Sequence, residues 1–143
     1  MHTLILIVII VMKIDSILLD DLTGQAKVNP RRRQNYDLRN SAEDNSQRML
    51  NALEPDTILP VHRHRNTSEV VAVLRGAIQN CIFDDDGKLL ECYEVRAGSS
   101  VPAFSIPPGV WHKAVSLESG TVILECKDGR YEPLSEEDIL PIG

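Results

Sequence analysis

The sequence predicts an all-β fold, a double-sheet sandwich or barrel, preceded by one short helix. Three observations carry this. From Met49 onward, runs of Val, Ile and Leu recur between the turn signals "EPDT", "RHRNTS", "DDDGK", "RAGSS", "IPPGV", "LESG" and "KDGR". Short strands at that rhythm suit antiparallel sheets, not βαβ units. Within them, "AIQNCIFDDDGKLLECYEV" reads as a hairpin. Finally, 143 residues with no internal repeat suit one domain, a size that buries roughly two thirds of the surface exposed by the unfolded chain.

The elements follow in order. "TLILIVIIVM", Thr3 to Met12, has the apolar texture of a signal peptide. It is too short to span a bilayer, which takes about 20 apolar residues. It also lacks a basic leader and a small-residue cleavage site. Met12 opens "MKIDSILLDDLTG" as an ordinary protein start. Residues 1–11 are therefore expected to be an extension from a misplaced start codon, with a weak membrane anchor as the alternative. Ile14, Ile17, Leu18 and Leu22 follow helical spacing, and Gly24 is placed to end that helix. "QAKVNPRRRQN" reads as a polar connection, and Ser41, three residues before Asp44, as the cap of a short turn. Residues 12–48 thus form a helix and arm, and 49–143 the β domain. In the tail, Ser135 with the acids behind it predicts a short closing helix.

Composition narrows the function. Hydrophobic content of 43% and charged content of 25% are those of a soluble globular protein. A net charge of -6 argues against general nucleic-acid binding, which needs a basic field. Cys81, Cys92 and Cys126 are too few and too dispersed for a disulfide framework or a CxxC zinc site. Although Cys81 and Cys92 flank "FDDDGK" and are candidate cross-strand neighbours, the odd count leads us to expect three reduced thiols, and with them a cytoplasmic protein.

The stretch "VHRHRNTSEVVAVLRG" holds the chemistry. Residues i and i+2 of a strand share one face, roughly 6.5 to 7 Å apart. His62 and His64 can therefore lean onto one metal ion, while Arg63 points away. Glu69, opening the next strand, offers a third ligand. "IPPGVWHKAV" brings a fourth, His112, three residues after Gly109. The remaining histidine is His2, so every histidine of the β domain belongs to this constellation. An exposed, charge-rich "HRHR" turn is the plain alternative, but it leaves Glu69, Gly76 and His112 matching by accident.

At this point the sequence resembles the cupin superfamily. The first cupin motif, G-x5-H-x-H-x3,4-E-x6-G, is met by His62, His64, Glu69 and Gly76. The second, G-x5-P-x-G-x2-H-x3-N, is met by Pro107, Gly109 and His112. Asp56, Val101 and Ser116 depart from the pattern, at turn and packing positions rather than at ligands. More narrowly, "NPRRRQN", "QRMLNALEP", "HRHRNTSEVVAVLRG", "FDDDGK" and "IPPGVWHKAVSLESGTVILECKDGRYEP" resemble the small cupin-fold metalloproteins of the WbuC family, from Leu18 to Pro133. Arg39 stands where that family usually has a histidine, and Arg130 where it has proline.

The resemblance implies a jelly-roll barrel of the double-stranded β-helix type, a homodimer, and a place near O-antigen and other surface-polysaccharide gene clusters. It also implies one divalent metal per chain on His62, His64, Glu69 and His112. Iron, manganese, nickel and zinc all accept nitrogen and oxygen ligands. Three His and one Glu leave positions open on a six-coordinate ion, unlike the closed, cysteine-rich sites of structural zinc.

Other residues have two readings. Arg31, Arg32 and Arg33 are either a solvated connector or guanidinium groups folded over the barrel mouth to bind an anion, with Arg48 joining them. Glu125 and Lys127 share a strand face, and either line the cavity and move protons or form a surface ion pair. Trp111 is expected to face away from His112 and pack, and Tyr131 to be a wall residue. Two functional classes follow. One is an enzyme whose metal polarises a carbonyl, binds an enediolate, or activates water or oxygen on a small anionic or sugar-derived molecule. The other is a metal-dependent binding or sensor module without chemistry.

Overall fold

The computed structural model describes residue 3 and residues 11–141. The expectation about residues 1–11 thus lies almost wholly outside the described residues. Helix α1 spans Ser16–Val28, and Asp15 caps it by accepting from the Leu18 amide at 3.1 Å. Gly24 does not end the helix. It sits on the exposed side, while Leu19, Leu22, Thr23 and Ala26 form a buried stripe that runs past it. The stop is at Pro30: the residue before a proline is pushed out of helical backbone, and Asn29 is extended with ψ 134°. Ile14 and Ile17, expected on the apolar stripe, are exposed; Leu18 and Leu22 do face the protein.

The strands are β1 (Arg33–Asp37), β2 (Gln47–Leu53), β3 (Val61–His62), β4 (Glu69–Arg75), β5 (Ala77–Phe83), β6 (Leu89–Arg96), β7 (Ala103–Ile106), β8 (Trp111–Ser116), β9 (Thr121–Lys127) and β10 (Ile139–Leu140). They form two five-stranded antiparallel sheets, ordered β1-β2-β9-β4-β7 and β10-β3-β8-β5-β6. This is the jelly roll. Part of the expected arm is thereby strand, since β1 lies along the edge of the first sheet, with Arg33 opposite Leu53 and Asp37 opposite Met49. The tail carries a single 3-10 turn, Glu136–Asp138, rather than a longer helix, and Ser135 precedes it.

Strand alternation sorts the core into two layers. Outward from β2 and β9, Leu50, Ala52 and Val122 pack under Leu19, Leu22 and Ala26 of α1. Inward, Leu53, Val71, Val73, Ile78, Val95 and Ile123 fill one end of the barrel. That end closes at Gly76, with φ +80°: a side chain there would put its Cβ 2.3 Å from Thr121 Oγ1, so only glycine fits. The glycine of the first cupin motif therefore permits a close strand crossing.

The cysteines require a correction. Register sets Cys81 opposite Cys92 on β5 and β6 with Cα atoms 4.2 Å apart, and the two form a disulfide; only Cys126 is free. The reading from count failed because one cross-strand pair needs no framework around it. The thiol argument for a cytoplasmic protein falls with it. Among the described residues, no helix is long and apolar enough to cross a membrane.

Candidate metal centre

The two histidine motifs meet through the second sheet. His62 is the one residue of β3 in register with β8, and its partner is His112. The chain then turns at His64, whose carbonyl accepts from the Gly109 amide at 2.8 Å. That bond ties the "IPPG" turn to the HxH segment. The three imidazoles converge, with ring centroids 5.0 Å (His62–His64), 4.4 Å (His62–His112) and 5.7 Å (His64–His112) apart. One ring nitrogen from each lies within 4.8 Å of the other two.

The outward nitrogens are already committed. His62 Nδ1 lies 3.0 Å from the Pro60 carbonyl, and His112 Nδ1 lies 2.9 Å from that of Val110. A carbonyl only accepts, so each Nδ1 carries the proton and each Nε2 presents a lone pair inward. Burial, and then the neighbouring imidazole of His112, pushes the His62 pKa down to about 4. Burial, and then the Lys127 ammonium, does the same for His64. Neutral imidazole is the ligating form.

Glu69 completes the set from β4. Its Oε2 is 3.4 Å from His64 Nε2 and 3.5 Å from His112 Nε2. This oxygen is buried and has no hydrogen-bond partner, an expensive state for a polar atom unless something binds it. Burial alone would raise the Glu69 pKa, but His112, Lys127 and His64 outweigh it and hold the carboxyl well below the usual range. An anionic oxygen beside three imidazole nitrogens is a donor set that fits a divalent ion.

These groups open into a cavity of about 570 Å³, a size suited to small-molecule ligands. Glu125 and Lys127 of β9 line it, as do Arg33 and Tyr131. Burial, and then the Glu69 charge, pushes the Glu125 carboxyl up to about 7. The Asn51 amide donates to Glu125 Oε2 and orients it. Arg48 is not brought here. Alternate residues of β2 face opposite ways, so Arg48 lies outside and pairs with Asp44 at 3.0 Å. Trp111 is buried beneath the Arg63 guanidinium at 4.4 Å, with its indole N–H donating to Asp85.

Sequence reasoning missed several contributors. Asn51 and Asn80 are buried, line the cavity, and each keep a carboxamide oxygen without a partner. A polar residue at an inward position of an otherwise apolar strand was the available signal. Arg63 and Arg65 hold the C-terminal segment beside the site through Asp138, at 3.0 and 2.6 Å. Nothing local in "HRHR" pointed 73 or 75 residues downstream.

A family model described as "Domain of unknown function (DUF6016)" matches residues 14–95, which takes in His62, His64 and Glu69. None of the curated proteins matches the chain. Among solved structures, KdgF from Halomonas sp. is similar over 73% of this chain and 85% of its own, at 18% identity and TM-score 0.58. Recombinant oxalate oxidase in complex with glycolate is similar over 73% of this chain and 55% of its own, at 20% identity and TM-score 0.59. Oxalate decarboxylase from Bacillus subtilis, described by its Mn(II) centres, is similar over 75% of this chain and 27% of its own, at 23% identity and TM-score 0.54. The chain thus spans about half of the oxidase and a quarter of the decarboxylase. What they share with it is the cupin fold.

Proposed function

Since the chain belongs to the DUF6016 family, a domain of unknown function, we propose that it is a metal-dependent cupin enzyme acting on a small anionic or sugar-derived molecule. The carrying observation is the donor set: two imidazoles locked as Nδ1–H tautomers, a third beside them, and an orphaned carboxylate oxygen from the facing sheet, all converging in one cavity. His62, His64, Glu69 and His112 would hold one divalent ion, either iron, manganese, nickel or zinc. When bound, such an ion supplies Lewis acidity, or activates water or oxygen.

The chain's own residues supply the rest. Glu125, with its pKa raised to about 7, holds a proton at an oxygen facing the cavity and can return it near neutral pH. Asn51 fixes the direction of that carboxyl. Lys127 helps to keep Glu69 ionised and so available as a ligand. Apolar residues such as Val71, Ile78, Phe104 and Ile123 also line the cavity and limit water. By resemblance we further propose a WbuC-type protein, homodimeric and serving surface-polysaccharide synthesis.

Elemental analysis of protein purified without a histidine tag or chelator tests the reading. Close to one divalent ion per chain is expected, with none in His62→Ala/His112→Ala. A metal-free protein that takes up no divalent ion on reconstitution would overturn it. Turnover of a metabolite pool that disappears in Glu125→Gln, with metal retained, marks an enzyme. Saturable binding without turnover marks the binding module instead.

A further inference from the structure

Five basic and four acidic side chains line the cavity of an acidic protein. The chain carries a net charge of -6. Of the basic residues lining the cavity, Arg63 and Arg65 are spent on Asp138 and Glu137. Lys127 sits among the carboxylates of the metal end, and Arg130 is exposed at the rim. Arg33 is different. It is half-buried, it has no carboxylate within ion-pair distance among the described residues, and its one hydrogen bond is a long one, 3.4 Å, to the Ile58 carbonyl. A partly desolvated guanidinium with its donors largely unused is poised for an anion.

Strand register shows where that anion would be. Arg33 lies opposite Leu53, which lies opposite Thr121 at one end of β9. Glu69 lies opposite Lys127 at the other end. The guanidinium reaches back from that level: it lies 3.4 Å from the Ile58 carbonyl, two residues before Pro60, whose carbonyl is 3.0 Å from His62 Nδ1, so it stands no more than about 13 Å from the metal ligands, a span that a six-carbon chain charged at both ends can cover. Between the two ends stand Asn51 and Asn80, buried, each with an unpartnered carboxamide oxygen. Amide oxygens accept hydrogen bonds, so they suit hydroxyl groups of a ligand rather than further negative charge.

Resting on the metal-dependent reading above, we propose that the substrate is an extended polyhydroxy dianion. A hydroxy-acid end meets His62, His64 and His112, and a second anionic group, a phosphate or carboxylate, is held by Arg33.

Calorimetry on metal-loaded protein tests this with three probes: gluconate, 6-phosphogluconate and glucarate. The two dianions are expected to bind at least tenfold tighter than gluconate. Arg33→Ala should abolish that preference while leaving metal content and gluconate affinity unchanged, and Arg33→Lys should keep part of it. Equal affinity for all three, a preference that survives Arg33→Ala, or no binding of any probe to metal-loaded protein would each overturn the proposal. Absence of metal from the wild-type protein would instead overturn the metal-dependent reading, so the two failures are separable.

Discussion

His62 and His64 tie the site's chemistry to the protein's stability. Both have folded pKa values near 4 against an ordinary 6.5. In metal-free protein, the unfolded chain takes up protons on them below pH 6.5 while the folded chain resists until near 4. Stability therefore falls as pH drops through that window. Glu125 acts with the opposite sign: its folded pKa near 7 lies above 4.5, so its contribution is present at low pH and lost as pH rises through 7. The two imidazoles outnumber the one carboxyl. The thermal midpoint of the metal-free protein should rise from pH 4 to 6.5 and then level off, and in Glu125→Gln the rise should steepen. Scanning fluorimetry across that range checks both. That the histidines converge was legible in the HxH spacing and the second motif, although β3 itself ends at His62. The role of Asn51 was not, because asparagine inside a strand has no signature until its neighbour on β9 is known.

The β5–β6 hairpin and helix α1 show the same divide between elements. "DDDGK" marked the hairpin correctly, since Asp84 accepts from the amides of Asp86 and Lys88 and closes the turn. Its alternation also fixed Cys81 opposite Cys92, yet a count of cysteines could not say that they bond. Thiol labelling of denatured, unreduced protein should modify one cysteine, Cys126, and all three after reduction. Cys81→Ser/Cys92→Ser should cost about 3 kcal/mol in urea unfolding, the loop-closure entropy of so short a loop. The bonded pair lies on the face of β5 opposite Asn80, so metal content should not change. Helix α1 was legible in existence but not in phase. Its buried side is chosen by Leu50, Ala52 and Val122 on the sheet beneath, partners that no local pattern names.

For the molecule as a whole, the middle and last thirds of the chain meet at the cavity mouth. Arg63 and Arg65 reach Asp138, and Arg63 also donates its backbone amide to the Asp138 carbonyl. Asp138→Ala should loosen β10 from β3, speed amide exchange at Val61 and His62, and weaken metal binding about tenfold, the usual loss for a group that supports a ligand. Unchanged exchange at these two amides would show that the clamp does not steady the site. The barrel itself was readable from strand rhythm and motif order together. The clamp was not, because acids in a tail read as solvated until the fold lays them over arginines.

The single rung between β3 and β8 has a consequence for how the protein ages and fails. Among the described residues, His62 and His112 are the one ladder pair between β3 and β8, which joins the two-strand margin of β3 and β10 to the body of its sheet. An ion gripping both imidazoles would therefore act as a rivet for the chain's end as well as a reagent. A chelator would undo the seam before it reached the interior, and the first protease cuts should fall at the carboxyl terminus while the barrel behind it still stands.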